Sequence, residues 1–264
     1  MPTSANGCTV LIVAIGASLA TIPATAFGAP GGGIAGSAHD FTNRADIVVG
    51  VCTFCHTPHK AQTTTLLWNH TFSDNTYSWT DNTKTQAGTT LPSFTKTWNG
   101  PSPKCLSCHD GSVAVGDVKW FDAKAQTITV TAADLTGGKI TNTDYVVGPA
   151  GSMNGNHPVV VPFPGVGTRN YGGTTTGSGY VSDEWSADPT ANGIVLFKAS
   201  DNTLAATISR VTASPSSGDN LGIECASCHD PHNKLSQDIY FLRGKLTGNS
   251  SGASGYICLK CHVK

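Results

Sequence analysis

Charge is the first thing this sequence has little of. Over 264 residues, 16 Lys and Arg face 17 Asp and Glu, a formal net charge of −1 at pH 7. With 12% of residues charged and the two signs balanced, there is no basic stripe to attract nucleic acid or an anionic membrane. Methionine is scarce too: Met1 and Met153 are the two. Apolar runs are short. Val10 to Ala20 is too brief to span a bilayer comfortably, and no later segment is apolar enough to try. That run reads as the core of an export signal over residues 1–26, with Ala24-Thr25-Ala26 as cleavage site and Phe27 as mature start, although Met1 to Thr9 carry no Lys or Arg. The expected location is therefore outside the cytoplasm: extracellular or at the cell surface, with the periplasm as the alternative.

What is abundant breaks regular structure. Gly 30 and Pro 14, with many Thr, Ser and Asn, punctuate the chain rather than propagate elements. Such a chain is expected to struggle to build a large core alone, so something else must supply buried apolar surface. Nine Cys are present, and eight form pairs with one gap: Cys52/Cys55, Cys105/Cys108, Cys225/Cys228 and Cys258/Cys261. The ninth, Cys8, falls in the export signal. Disulfides suit an exported protein, and a two-residue gap also suits structural zinc. Neither requires the residue that follows each pair, which is His56, His109, His229 and His262. With nine His in 264 residues, His follows a given Cys about 3% of the time, so four in four is on the order of one in a million.

C-x-x-C-H is the attachment signature of c-type haem. Two thiols on one tight turn can add to the vinyl groups along one haem edge, and the next imidazole then faces the iron. The four Cys pairs are the expected tethers of four haem c groups, with His56, His109, His229 and His262 as proximal ligands. Cytochromes fill the sixth position with Met or a second His. Met153 is a weak competitor, because five spare imidazoles remain for four irons: His39, His59, His70, His157 and His232. His59 and His232 each follow a proximal His by three residues, across Pro58 and Pro231. Three residues cannot carry the chain round a haem edge, so each should bind a different, neighbouring haem. His157, before Pro158, and His39, in the leader, complete the expected distal set. His70 is taken as the one left over, with a distal role kept open. Six-coordinate iron leaves no position for a substrate, so electron transfer is expected rather than catalysis.

Residues 27–36 read as a flexible Gly-rich leader. A haem module at 37–120 carries the first two motifs, and another at 223–264 carries the last two. Between them, 121–222 reads as a β-containing insertion: Gln126 to Thr131 alternates as a strand, and Ile194–Phe197 and Leu204–Ile208 flank Ser200-Asp201-Asn202 as a hairpin. Gly148 to Gly167 reads as loop. The fold class is a multihaem cytochrome c, mostly irregular, with short helices around the C-x-x-C-H motifs. Leu66, Leu67, Trp68, Trp98, Trp120, Phe241 and Leu242 read as haem packing. Arg44, Lys60, Arg169 and Arg243 either pair with haem propionates or are ordinary surface.

Several runs together resemble a known family. They are Cys-Thr-Phe-Cys-His-Thr-Pro-His (52–59), Leu-Leu-Trp-Asn (66–69), Cys-Leu-Ser-Cys-His-Asp-Gly-Ser-Val-Ala (105–114), Asn-His-Pro-Val (156–159) and Cys-Ala-Ser-Cys-His-Asp-Pro-His-Asn (225–233). They resemble the extracellular tetrahaem cytochromes that polymerise into conductive filaments, the OmcE-like cytochrome nanowires. The likeness is poor over 121–150 and 165–220. It implies a loop-rich fold wrapped on stacked bis-His haems, and a head-to-tail polymer in which one His crosses to a neighbour's haem. His59, His232 and His157 match the family's distal histidines, and His39 an N-terminal one. The implied partners are copies of the chain itself, upstream periplasmic or outer-membrane cytochromes, and an extracellular electron acceptor. A monomeric tetrahaem shuttle and a multihaem reductase are the alternatives.

Overall fold

The computed structural model describes residues 28–121, 124–165, 170–179, 181–211, 213–247 and 255–263. The export signal, Cys8 and Arg169 lie outside the described residues. Among those described, no helix is long and apolar enough to cross a membrane.

Regular elements are short. Helix α1 (Ser102–His109) starts at a Pro-rich N-terminus, Pro101 and Pro103, where missing amide hydrogens cost nothing, and ends on the second motif. Strands β1 (Asp117–Phe121) and β2 (Lys124–Thr127) pair antiparallel. Beyond β2 the alternation persists, with Ile128 and Val130 buried between exposed Thr127 and Thr129. The expected strand over 126–131 is therefore realised as β2 and a half-buried extension of it. Strands β3 (Leu135–Thr136) and β4 (Lys139–Ile140) close over Gly137 and Gly138, both at positive φ.

The run 148–167, expected to be loop, contains β5 (Val161–Pro162). Val159, Val160 and Val161 are all buried, Val160 N–H donates to the Ile223 carbonyl, and Val161 pairs with Ile223. A buried apolar triplet overrides the breakers around it. After the small hairpin β6 (Asn170–Tyr171) and β7 (Thr174–Thr175), the expected hairpin about 200–202 is present but displaced. Its strands are β8 (Phe197–Ala199) and β9 (Ile208–Arg210), so Ile194–Leu196 and Leu204–Thr207 lie outside the ladder. Asp201 caps the turn by accepting from Thr203 N–H and its hydroxyl, which lengthens the loop. Strand β10 (Leu221–Ile223) inserts between β5 and β8, giving a four-stranded sheet in the order β5-β10-β8-β9.

β10 matters for function because it runs directly into Glu224 and α2 (Cys225–Cys228), the third motif. All three of its residues are buried, and a Cβ on Gly222 would stand 2.2 Å from the Tyr171 ring. Only glycine lets this strand lie against that ring. Gly222→Ala is expected to cost about 2 kcal/mol, read as a fall of about 4–8 °C in the melting temperature of the purified protein; an unchanged melt would show that Tyr171 yields freely.

The interior is three clusters rather than one core. The first gathers Tyr77, Trp79, Phe94, Trp98, Leu106, Met153 and Tyr171, and touches Cys225. The second, around Phe54, Val118 and Ile128, touches Cys55. The third, around Phe163, Leu196 and Leu221, touches Cys261. Thiols from three of the motifs thus sit at cluster edges.

The leader is held in place. Asn233 is fully buried and donates to the Ala29 and Gly33 carbonyls, while its own side-chain and backbone oxygens accept from the Gly31 and Gly33 amides. The expected flexible arm is therefore clamped onto the third motif from residue 29, which fixes where His39 can go.

Candidate functional site

Each motif forms one helical turn. The imidazole-bearing residue closes it by donating its N–H to the carbonyl of the first Cys: His56 to Cys52 at 2.8 Å, His229 to Cys225 at 3.1 Å and His262 to Cys258 at 2.9 Å. The second motif lies within α1, and the fourth on a 3-10 turn, Cys258–Lys260. Residues three apart on a turn share a face, so both thiols of each pair project together. All eight thiols are free. Burial pushes those of Cys55, Cys108 and Cys261 up to about 12 and that of Cys228 up to about 11. Among the described residues no three His, Cys, Asp or Glu converge as they would round a bare ion.

Successive motifs lie near one another. Cys105 and Cys225 are within side-chain hydrogen-bonding reach, and the thiols of Cys55 and Cys108, like those of Cys228 and Cys258, are near enough for the charge of one to raise the other. The pairs therefore follow one another in sequence order, first to fourth.

The imidazoles are oriented by backbone. Nδ1 of His56 lies 2.6 Å from the Leu66 carbonyl, that of His109 2.9 Å from Tyr145, and that of His229 2.9 Å from Tyr240. His39 does the same to Pro231 at 3.1 Å and His157 to Pro158 at 2.9 Å. A carbonyl only accepts, so Nδ1 carries the proton and the lone pair is on Nε2, the arrangement a metal-ligating histidine adopts. Burial, then the neighbouring His109 ring, pushes His39 down to about 4 despite the Pro231 carbonyl. Burial also lowers His109 and His229. These rings are neutral, as ligands must be.

Two ring pairs cross between motifs. His56 and His232 have centroids 6.2 Å apart at an interplanar angle of 16°, and His39 and His109 are 6.1 Å apart at 60°. Both spacings lie within the range of ordinary ring pairs, the first near parallel and the second edge-on. They would also leave each pair of imidazoles near enough to share one bound group. His232 faces the first motif rather than its own, and His39 faces the second. His59 and His157 are exposed, and neither ring meets another imidazole among the described residues.

His70 is different. It is fully buried, with Nδ1 2.7 Å from the Thr71 carbonyl, Nε2 2.9 Å from that of Ala114, and Cys108 Sγ 3.4 Å from Nε2. Burial favours the neutral ring, which donates to only one of these carbonyls. Met153 is buried in the first cluster, its sulfur against Gly148.

Backbone strain gathers at the same places. Seven described non-glycine residues have φ between 51° and 60°: Lys60, Leu66, Leu67, Ala150, Val160, Asn233 and Phe241. Each costs about 1–3 kcal/mol. All but Ala150 lie within three residues of His59, His157 or His232, or of the carbonyls of Leu66 and Tyr240.

The candidate propionate partners separate. Arg44 lies over the Phe41 ring and donates to the Ala38 carbonyl, and Lys60 lies 4.0 Å over the Trp120 ring. Arg243 is buried, pairs with Asp230 at 3.5 Å, and keeps Nη1 without a hydrogen-bond partner. It lines a cavity of about 530 Å³ with Arg210, His232 and Lys234. Trp68 Nε1, beside the His56 ring, is a second buried donor without a partner. An orphaned guanidinium nitrogen in a cationic cavity fits a carboxylate. Trp98, expected against haem, donates to Glu224 at 2.8 Å.

Sequence reasoning missed the carbonyls of Leu66, Tyr145 and Tyr240, 10, 36 and 11 residues from the rings they hold. It also missed Glu224, whose place just before the third motif was the available signal. Neither the family models nor the curated proteins give a match to this chain.

Proposed function

We propose that this chain is a multihaem c-type cytochrome holding four haem c groups in a row, tethered by the four Cys pairs. The observation that carries the reading is the pair of cross-motif imidazole contacts, His56–His232 and His39–His109. When bound, haem iron supplies one-electron redox chemistry. The protein's part is to tether through Cys, to ligate through His56, His109, His229 and His262, and to hold ring planes through backbone carbonyls. His232 and His39 would be the second ligands at the first and second sites, and His59 and His157 the ligands that remain. His70, buried between the Thr71 and Ala114 carbonyls, is left outside the set. Arg243 receives a propionate. The nearness of successive motifs would let electrons pass along a row of haems, and bis-His closure would leave no position for a substrate.

More particularly, we infer a subunit of an exported cytochrome filament resembling the OmcE-like nanowires. The exposed His59 and His157 can reach a second copy, and a head-to-tail contact that does not close builds a filament. Upstream cytochromes would load it, and an external acceptor would unload it. The test is the exported protein itself. Pyridine haemochrome and intact mass should return four haems per chain, with a low-spin spectrum in both redox states, and negative-stain microscopy should show filaments. Bare-chain mass would end the cytochrome reading; a haem-loaded particle of one subunit at all concentrations would end the filament alone.

A further inference from the structure

Resting on the four-haem reading, we infer that Glu224 is a potential-setting residue: its buried carboxylate fixes a negative charge between the second and third haem attachments. The side chain is 1% exposed. Oε1 accepts from Trp98 Nε1–H at 2.8 Å and from the Tyr171 hydroxyl at 3.0 Å. Oε2 accepts from the Ser102 amide at 3.2 Å and from the Ser102 hydroxyl. Each oxygen thus meets one group that can only donate, the indole or the amide, and one hydroxyl. Burial raises the carboxyl's proton affinity above the ordinary range, and four converging donors oppose it by satisfying the ionised form.

The position is specific. Glu224 immediately precedes Cys225, whose N–H donates to the same Ser102 hydroxyl at 3.1 Å. Ser102 and Cys105 both lie on α1, and Cys105 meets Cys225 through their side chains. The carboxylate is therefore wedged where the second and third motifs touch. Gly100 makes room for it, since a Cβ there would stand 2.3 Å from Oε1. The charge is not cancelled by an ion pair. Lys104, the buried cation on α1, gives its ammonium hydrogens to the Gly100 and Asn99 carbonyls at 3.0 and 3.5 Å. The other titratable groups nearby are Tyr171 on β6, the thiols of Cys105 and Cys225 (thioethers once haem is attached), and Tyr77, which is hydrogen-bonded to Asp110.

Reduction adds one electron to each ferric iron and removes one positive charge. A fixed anion nearby opposes that electron, and more strongly in a low-dielectric interior than in water. Glu224 should hold two of the four potentials low. A purely structural brace would hold α1 to α2 and leave potentials alone.

The experiment is an optical redox titration of the intact holoprotein with a chemical reductant. In Glu224→Gln, two of the four midpoint potentials should rise, with haem content and the low-spin spectrum unchanged. Four unshifted potentials in such a variant would overturn the inference and leave the cytochrome reading standing; a wild-type chain without haem would remove the reading itself. If Glu224→Gln does not accumulate, Tyr171→Phe decides. Losing one donor should raise the carboxyl's proton affinity, so the same two potentials should become dependent on pH near neutrality. Potentials that stay independent of pH in that variant would also overturn it.

Discussion

In His232→Ala, one iron in four is expected to become high-spin while all four haems stay attached, and that iron should be the one bound by His56. The third motif supplies His232, yet its ring lies 6.2 Å from His56 in the first. A double-mutant comparison reads this directly, because residues that share a partner do not act additively. Combining His232→Ala with His56→Ala should disturb a single iron. Combining it with His229→Ala should disturb two. The same logic links His39 to His109, although their sequence positions differ by seventy. Electron paramagnetic resonance counts the high-spin centres. If His232→Ala with His229→Ala disturbs one iron only, His232 serves its own motif and the cross-motif arrangement is wrong.

The second large effect concerns folding. A chain made without haem, or with all eight motif Cys replaced by Ala, is expected to be unfolded or at most locally structured. Among the described residues its buried apolar side chains form three clusters, two of them joined only through Leu91, and thiols from the first, third and fourth motifs lie on their edges. Clusters of this size offset little of the chain entropy of a loop-rich protein, roughly 1–2 kcal/mol per ordered residue. Haem held at the cluster edges would bury the remaining surface and join them. Proteolysis and near-ultraviolet circular dichroism check this: the haem-free chain should be cut rapidly throughout and lack fixed aromatic signals. A protease-resistant apoprotein with a cooperative melt would show that the clusters suffice alone.

Strain and orientation belong together in this molecule. The Leu66 carbonyl holds His56, and Leu66 and Leu67 both have positive φ and exposed side chains. Phe241, also at positive φ, follows the Tyr240 carbonyl that holds His229 and lays its ring 4.7 Å from that of His39. Apolar residues expected to pack on haem thus shape the backbone as well as the interior. Such strain persists only where the surrounding structure over-determines it, and here it serves to aim carbonyls at imidazoles.

What could be read from the residues was local. The four motifs, the histidine that follows each Cys pair and the one-turn geometry depend on contacts within five residues, so spacing alone specified them. The shortness of the elements followed from glycine and proline, and the period-two run over 126–131 from alternation. What needed the folded chain was non-local. The displaced register of β8 and β9, the strand β5 inside a breaker-rich run, the clamp of Asn233 on the leader, the pairing of His232 with His56 and the burial of Glu224 each join segments far apart. A turn motif is fixed by the chain's own stereochemistry. A carbonyl that finds an imidazole 36 residues away, or a carboxylate that finds a tryptophan 126 away, is placed only by the packing of everything between them.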